Sequence, residues 1–191
     1  MSISEAAPAD IRPRLTVLAA GFAAVAAVSF ASLAWPVALA STLLGTLMIA
    51  GAEVDARTFL LPDTVTLGAL AAGIAAAAAL APLDPGWSAL EAALRAGGTA
   101  AALYAVRLGY ARLRGREGLG LGDVKLAAAI GAWLPLDAIP LCFALAANAA
   151  LALVLFAPLR GRPLEATARL PFGAFLCPAL WLVFYASALP W

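Results

Sequence analysis

Two aspartates in this sequence are set in surroundings that could support chemistry. Asp123 lies in the run Gly118-Leu119-Gly120-Leu121-Gly122-Asp123-Val124-Lys125-Leu126, where three glycines, a carboxylate and an ammonium interrupt an apolar chain. Asp55 opens a second polar stretch, Asp55-Ala56-Arg57-Thr58-Phe59-Leu60-Leu61-Pro62-Asp63. Two carboxylates brought onto one face cannot both ionise easily, so they share a proton. The ionised partner can take a proton from water, and the protonated one can donate to a carbonyl or a leaving amine. Such hydrolysis calls for no cofactor and no metal. Glycines beside Asp123 remove side chains and let a second backbone approach, as an extended peptide substrate would require.

The residues that are missing narrow the chemistry. There is no histidine, so neither a Ser-His nor a Cys-His nucleophile pair can be built, nor a two-histidine zinc site on a helix. The two cysteines, Cys142 and Cys177, lie inside apolar runs, which argues against a disulfide framework or a zinc knuckle. The glycine run lacks the Lys-Ser/Thr ending of a phosphate-binding loop.

Such groups need elements to position them, and composition indicates which. Of 191 residues, 64% are hydrophobic and 12% charged, where a soluble domain would carry about a quarter charged. The expected fold is all-α: a polytopic integral membrane helix bundle of about seven transmembrane segments. The expected organisation is a short cytoplasmic tail over 1–14 followed by one transmembrane domain over 15–191. Arg12 and Arg14 precede a first run too long for the apolar region of a signal peptide, so that run reads as a retained helix.

Apolar runs of about 20 residues place helices at 15–34, 37–52, 64–83, 88–108, 138–157 and 172–189. A shorter run, 124–134, is tilted, kinked or partly sunk in the bundle. Trp35-Pro36 reads as an interfacial turn, 55–63 as a polar hinge, and 109–122 and 158–171 as basic loops. Of the 12 basic residues, all but Arg95 fall on one side of this scheme. They are Arg12, Arg14, Arg57, Arg107, Arg112, Arg114, Arg116, Lys125, Arg160, Arg162 and Arg169. The positive-inside rule then puts the N-terminus in the cytoplasm and the C-terminus outside, provided the short fifth segment crosses. Both polar stretches fall on the cytoplasmic side.

Each candidate also has a plainer role. Asp55 is either a solvated interfacial carboxylate, paired with Arg57, or a functional group. A helix C-terminus disfavours negative charge, so capping does not explain it. Asp63 follows Pro62 and reads as the N-cap of the next helix. Asp123 precedes a helix and could cap it too. Lys125 reads first as an interfacial anchor and second as a charge acting on a nearby carboxylate.

Three stretches resemble the type IV prepilin peptidases. Asp55 to Asp63, ending in Leu61-Pro62-Asp63, resembles the family's first motif. Gly118 to Trp133 is similar to the second and most specific one. Leu170-Pro171-Phe172-Gly173-Ala174-Phe175 resembles the final Pro-Phe-Gly segment. The resemblance covers about 39–182 in family order. It implies an intramembrane aspartic peptidase of the GxGD type, cleaving the basic leader from prepilins or pilin-like secretion subunits at the cytoplasmic face of the bacterial inner membrane. By position, Asp55 and Asp123 would be the catalytic pair. Asp63 would be structural or supporting, Gly120 and Gly122 would flank the second aspartate, and Pro171 and Gly173 would shape the site. Implied partners are the prepilin precursor and the lipid bilayer, with no nucleic acid and no cofactor; no oligomeric state is implied. Family members that also methylate carry an N-terminal domain with paired Cys-x-x-Cys motifs. Neither motif occurs here, so the short, peptidase-only form is expected. Pro178-Ala179-Leu180 also resembles a presenilin-type motif, but Val54 stands where its tyrosine partner would precede the aspartate.

Two other functions fit an apolar chain with isolated carboxylates. A transporter or ion pathway would use Asp55 and Asp123 as a proton or cation site and predicts carboxylates at mid-membrane depth. A structural subunit of a secretion machine would use them only as helix caps, leaving the glycine run unexplained.

Overall fold

A computed structural model describes residues 12–115, 118–157 and 170–190. Arg116, the tail over 1–11 and residues 158–169 of the basic loop, with Arg160, Arg162 and Arg169, lie outside the described residues. The described residues form seven helices and no strand: α1 (Leu15–Ser32), α2 (Trp35–Thr58), α3 (Asp63–Leu80), α4 (Pro85–Arg114), α5 (Leu121–Trp133), α6 (Ile139–Phe156) and α7 (Gly173–Ala188). Among them α1, α2, α3 and α6 are long and apolar enough to cross a membrane. The outer face of α1 presents Leu15, Val17, Phe22, Val28 and Phe30, an apolar surface suited to lipid rather than to water. This is a multi-pass membrane helix bundle.

Contacts along the helices show an alternating, up-and-down arrangement. At one end Arg14 reaches Glu53, joining the start of α1 to the end of α2. At the other, the Ser29 and Ser41 hydroxyls are 2.9 Å apart, and Trp181 on α7 donates its indole N–H to Ser41 at 3.1 Å. Ser32 at the end of α1 meets Tyr185 near the end of α7 at 2.7 Å. The helices α3 and α5 run parallel, joined by Lys125 to Asp63 near their starts and by Trp133 Nε1 to the Ala69 carbonyl further along. The end of α2 and the starts of α3, α5 and α7 therefore gather at one end of the bundle, with the start of α1.

Helix limits differ from the apolar runs in three places that matter. The second helix does not end at Ala52; it continues through Asp55 to Thr58. Nothing between Ala52 and Thr58 breaks a helix, and Glu53 and Arg57 form an i,i+4 ion pair of 2.7 Å across this last turn. The expected hinge shrinks to 59–62, begun by Phe59 in the left-handed conformation with φ 56°. The fourth helix continues past Leu108 to Arg114, where Gly115 ends it with φ 66°. Arg112 and Arg114 favour that extension, since cations suit a helix C-terminus. Trp35-Pro36 is not a turn but the first turn of α2, where proline is tolerated because that N–H has no helical partner.

The short fifth helix is sunk in the bundle. Leu126, Ala127, Ala129, Ile130, Ala132 and Trp133 are buried. It approaches α4 closely at Gly131, where Arg95 Nε donates to the Gly131 carbonyl at 3.3 Å. A Cβ on Gly131 would collide with the Arg95 carbonyl and lie 2.6 Å from Thr99 Oγ1. Backbone cannot step aside as a side-chain tip can, so Gly131→Ala must push α4 and α5 apart. We expect it to destabilise the protein by about 1–3 kcal/mol, read as a lower thermal midpoint in detergent micelles. An unchanged midpoint would show that this contact is looser than described.

Candidate active site

Asp55 lies in the last turn of α2 and is buried. Its Oδ2 accepts the Ala174 N–H at 2.8 Å, so a carboxylate from α2 binds an amide in the first turn of α7, where the α-helical i−4 acceptor is missing. The same N–H also reaches the Pro171 carbonyl, at 3.2 Å. Pro171 thus lies at the edge of this cluster. Gly173 lies inside it: a Cβ there would be 2.9 Å from Asp55 Oδ2 and 2.7 Å from Leu61 Cδ1. The helix start and the carboxylate can meet only because this position has no side chain.

The pairing of Asp55 with Arg57 that the sequence allowed does not form. Arg57 binds Glu53 instead, and donates to the Arg12 carbonyl at 2.8 Å. Glu53 and Arg57 are four residues apart and share a helix face; Asp55, two from each, points about 200° away. The spacing was a signal available in the sequence.

Asp123 is the third residue of α5 rather than its cap; Gly120 holds the cap position. The Asp123 carboxylate turns back to accept the Gly120 N–H at 3.3 Å, one half of a capping box. Gly122 packs on Leu61, whose Cβ would be 3.1 Å from a Cβ placed there. The hydrogen bonds of Asp123 and Asp55 go to separate amides, and the geometry that joins their neighbourhoods is the packing of Leu61 on the glycines beside them. Leu61 reaches both Gly122 and Gly173 and so lies between the strands of chain that carry the two aspartates. Sequence reasoning quoted Leu61 only as part of a motif, and missed the Ala174 amide altogether. No local pattern announces either contact.

Asp63 is not an N-cap. Pro62 holds that position, and Asp63 lies one residue inside α3 with its carboxylate on Lys125 Nζ. The two supporting candidates therefore meet each other, tying α3 to α5 beside the site. Their side chains are 63% and 41% exposed, so the pair is screened by solvent. A double-mutant cycle with Asp63→Asn and Lys125→Met should give a coupling of about 0.2–1 kcal/mol that falls with added salt. A coupling several times larger and insensitive to salt would contradict this exposure.

Neither aspartate lies at mid-helix depth, as an ion pathway requires; both occupy terminal turns at one end of the bundle. What the residues at this end share with known proteins is more specific. A sequence model described as the type IV leader peptidase family matches residues 42–155. The chain belongs to this family. The matched region contains Asp55, Asp63, Gly120, Gly122, Asp123 and Lys125. Curated relatives of this type IV leader peptidase family member include a prepilin leader peptidase/N-methyltransferase of Burkholderia pseudomallei (strain 1026b), 39% identical over 141 residues, which are 73% of this chain and 43% of the relative. The leader peptidase HopD of Escherichia coli is 40% identical over 136 residues, 71% of this chain and 84% of the relative. A prepilin leader peptidase/N-methyltransferase of Aeromonas hydrophila is 32% identical over 181 residues, 92% of this chain and 59% of the relative. The chain spans less than half of the Burkholderia relative's length. No solved structure matches it.

Proposed function

We propose that this chain is an aspartic endopeptidase that removes the leader from type IV prepilins or pilin-like secretion subunits. Asp55 and Asp123 form its dyad, and the reaction takes place at the cytoplasmic face of the bacterial inner membrane. The observation that supports this reading is the convergence of the two motifs. Two carboxylates from distant motifs, one of them buried, are carried to one end of a membrane bundle that has no histidine, where Leu61 packs on both Gly122 beside Asp123 and Gly173 beside Asp55. Family membership and relatives named as leader peptidases support it. Arg14, Arg57, Arg107, Arg112, Arg114 and Lys125 cluster at this end among the described residues, which supports its cytoplasmic orientation.

In this mechanism one carboxylate of the dyad is ionised and accepts a proton from water. The water oxygen attacks the scissile carbonyl while the protonated partner donates to the carbonyl oxygen. The resulting diol collapses, the C–N bond breaks, and the leaving amine takes its proton from the dyad. The Ala174 N–H holds the Asp55 carboxylate, and the Gly120 N–H holds that of Asp123. Gly120 leaves room beside the Asp123 carboxylate, whereas Gly118 and Gly122 let Tyr110 and Leu61 pack closely on the segment. In this reading an extended substrate peptide lies between the two segments that carry the aspartates, where Leu61 packs.

The test is co-expression with an epitope-tagged prepilin from the same genome, following the shift of its band as the leader is lost. Wild type should convert precursor to mature pilin; Asp55→Ala and Asp123→Ala, inserted normally in the membrane, should leave only precursor. Normal processing by either variant would remove it from the dyad.

A further inference from the structure

The segment carrying Asp123 is gripped from outside its own helix. On α4, Arg107 Nε donates to the Leu119 carbonyl at 2.9 Å. Gly120 N–H donates to Asp123 Oδ2. The Leu119 carbonyl and the Gly120 N–H are the two poles of one planar amide. A cation therefore sits at the oxygen end of this peptide dipole and a carboxylate at its hydrogen end, the favourable orientation at both. Hydrogen bonds in such a chain polarise one another, and those with an ionised end are the stronger kind.

The neighbouring contact shares the same face of α4. Gly118 lies so close to Tyr110 that a Cβ there would run into the Tyr110 ring. Arg107 and Tyr110 are three residues apart and so are neighbours on the helix surface. The glycine segment is thus laid on α4 at Tyr110 and oriented at Arg107 before it enters α5. Sequence analysis counted Arg107 only among the residues that set orientation.

We propose that Arg107 is a positioning residue for the Asp123 carboxylate, acting through the Leu119–Gly120 peptide. The inference rests on the peptidase reading above. By fixing that peptide, Arg107 fixes which carboxylate oxygen is engaged and leaves Oδ1 for water or the scissile carbonyl. Arginine suits the task because its guanidinium is always charged and its Nε–H has a fixed direction.

Steady-state cleavage of a purified prepilin by the full chain in micelles tests it. Arg107→Gln should lower kcat about tenfold or more, the scale of a lost hydrogen bond to a charged group, with KM within about twofold of wild type. Arg107→Lys should recover at least half of the lost kcat. Arg112→Gln removes an exposed charge from the same helix and should match wild type. A wild-type kcat for Arg107→Gln, a loss confined to KM, or an equal loss in Arg112→Gln would overturn the proposal. Should Arg107→Gln fail to fold, Gly118→Ala moves the same peptide with Arg107 intact. It should lower kcat about tenfold, and a wild-type value would count against the idea. Asp123→Asn, assayed alongside, separates the two levels. An active Asp123→Asn removes the dyad itself, whereas an inactive one beside an unimpaired Arg107→Gln removes only the role of Arg107.

Discussion

Asp55→Asn should reduce leader cleavage by about a thousandfold or more while leaving the protein folded. The amide cannot exchange a proton with water or with Asp123, so the acid–base cycle stops. Its side-chain oxygen can still accept the Ala174 N–H, so the contact between α2 and α7 survives. Asp55→Ala should be equally inactive but also less stable, by about 1–2 kcal/mol. That variant leaves the Ala174 amide only its longer contact to the Pro171 carbonyl and opens a small void. Comparing the two isolates chemistry from capping: both should lose activity, and only alanine should lower the thermal midpoint. Asp123→Asn should behave as Asp55→Asn does, since its bond to the Gly120 N–H can likewise be kept. Turnover by Asp55→Asn within tenfold of wild type would show that Asp55 only caps α7.

The second large effect is expected at Gly173. Its substitution by alanine brings a methyl group 2.9 Å from Asp55 Oδ2 and 3.0 Å from Asp55 Cγ. Leu61 Cδ1, at 2.7 Å, can swing away because it is the tip of a flexible side chain. The carboxylate has no such freedom while it holds the Ala174 N–H. Either the hydrogen bond breaks or the start of α7 retreats, and both move Asp55 relative to Asp123. Displacement of a catalytic group by about 1 Å can cost on the order of a hundredfold in rate, and a loss of that order is expected in kcat. The double variant Gly173→Ala/Leu61→Ala relieves the softer clash only. Its thermal midpoint should rise relative to Gly173→Ala while kcat stays low. Full recovery of kcat in the double variant would mean that Leu61, and not Asp55, was the group displaced.

Much of this protein was legible from its residues. The scarcity of charge announced a membrane bundle, because helices that meet lipid cannot carry charge without large cost. The missing histidines restricted acid–base chemistry, and the glycine run with its aspartate marked the stretch that the family model also covers. Boundaries were less legible. Apolar runs measure how much chain sits in hydrocarbon, whereas a helix continues until something ends its hydrogen bonding. That is why α2 ran on to Thr58 through the Glu53–Arg57 pair and α4 ran on to Gly115.

The sequence by itself determined which groups are available: a series of apolar runs, two aspartates at their polar ends, and glycines where the backbone must be approached. Only the tertiary structure decided who meets whom. Asp55 found the Ala174 amide, Asp63 found Lys125 instead of its own helix start, and Arg107 found the peptide next to Asp123. Those choices depend on the rotation of each helix about its axis and on how closely its neighbour packs. A rotation of about 100° per residue turns a side chain from one neighbour to another, and composition along the chain does not carry that phase between helices.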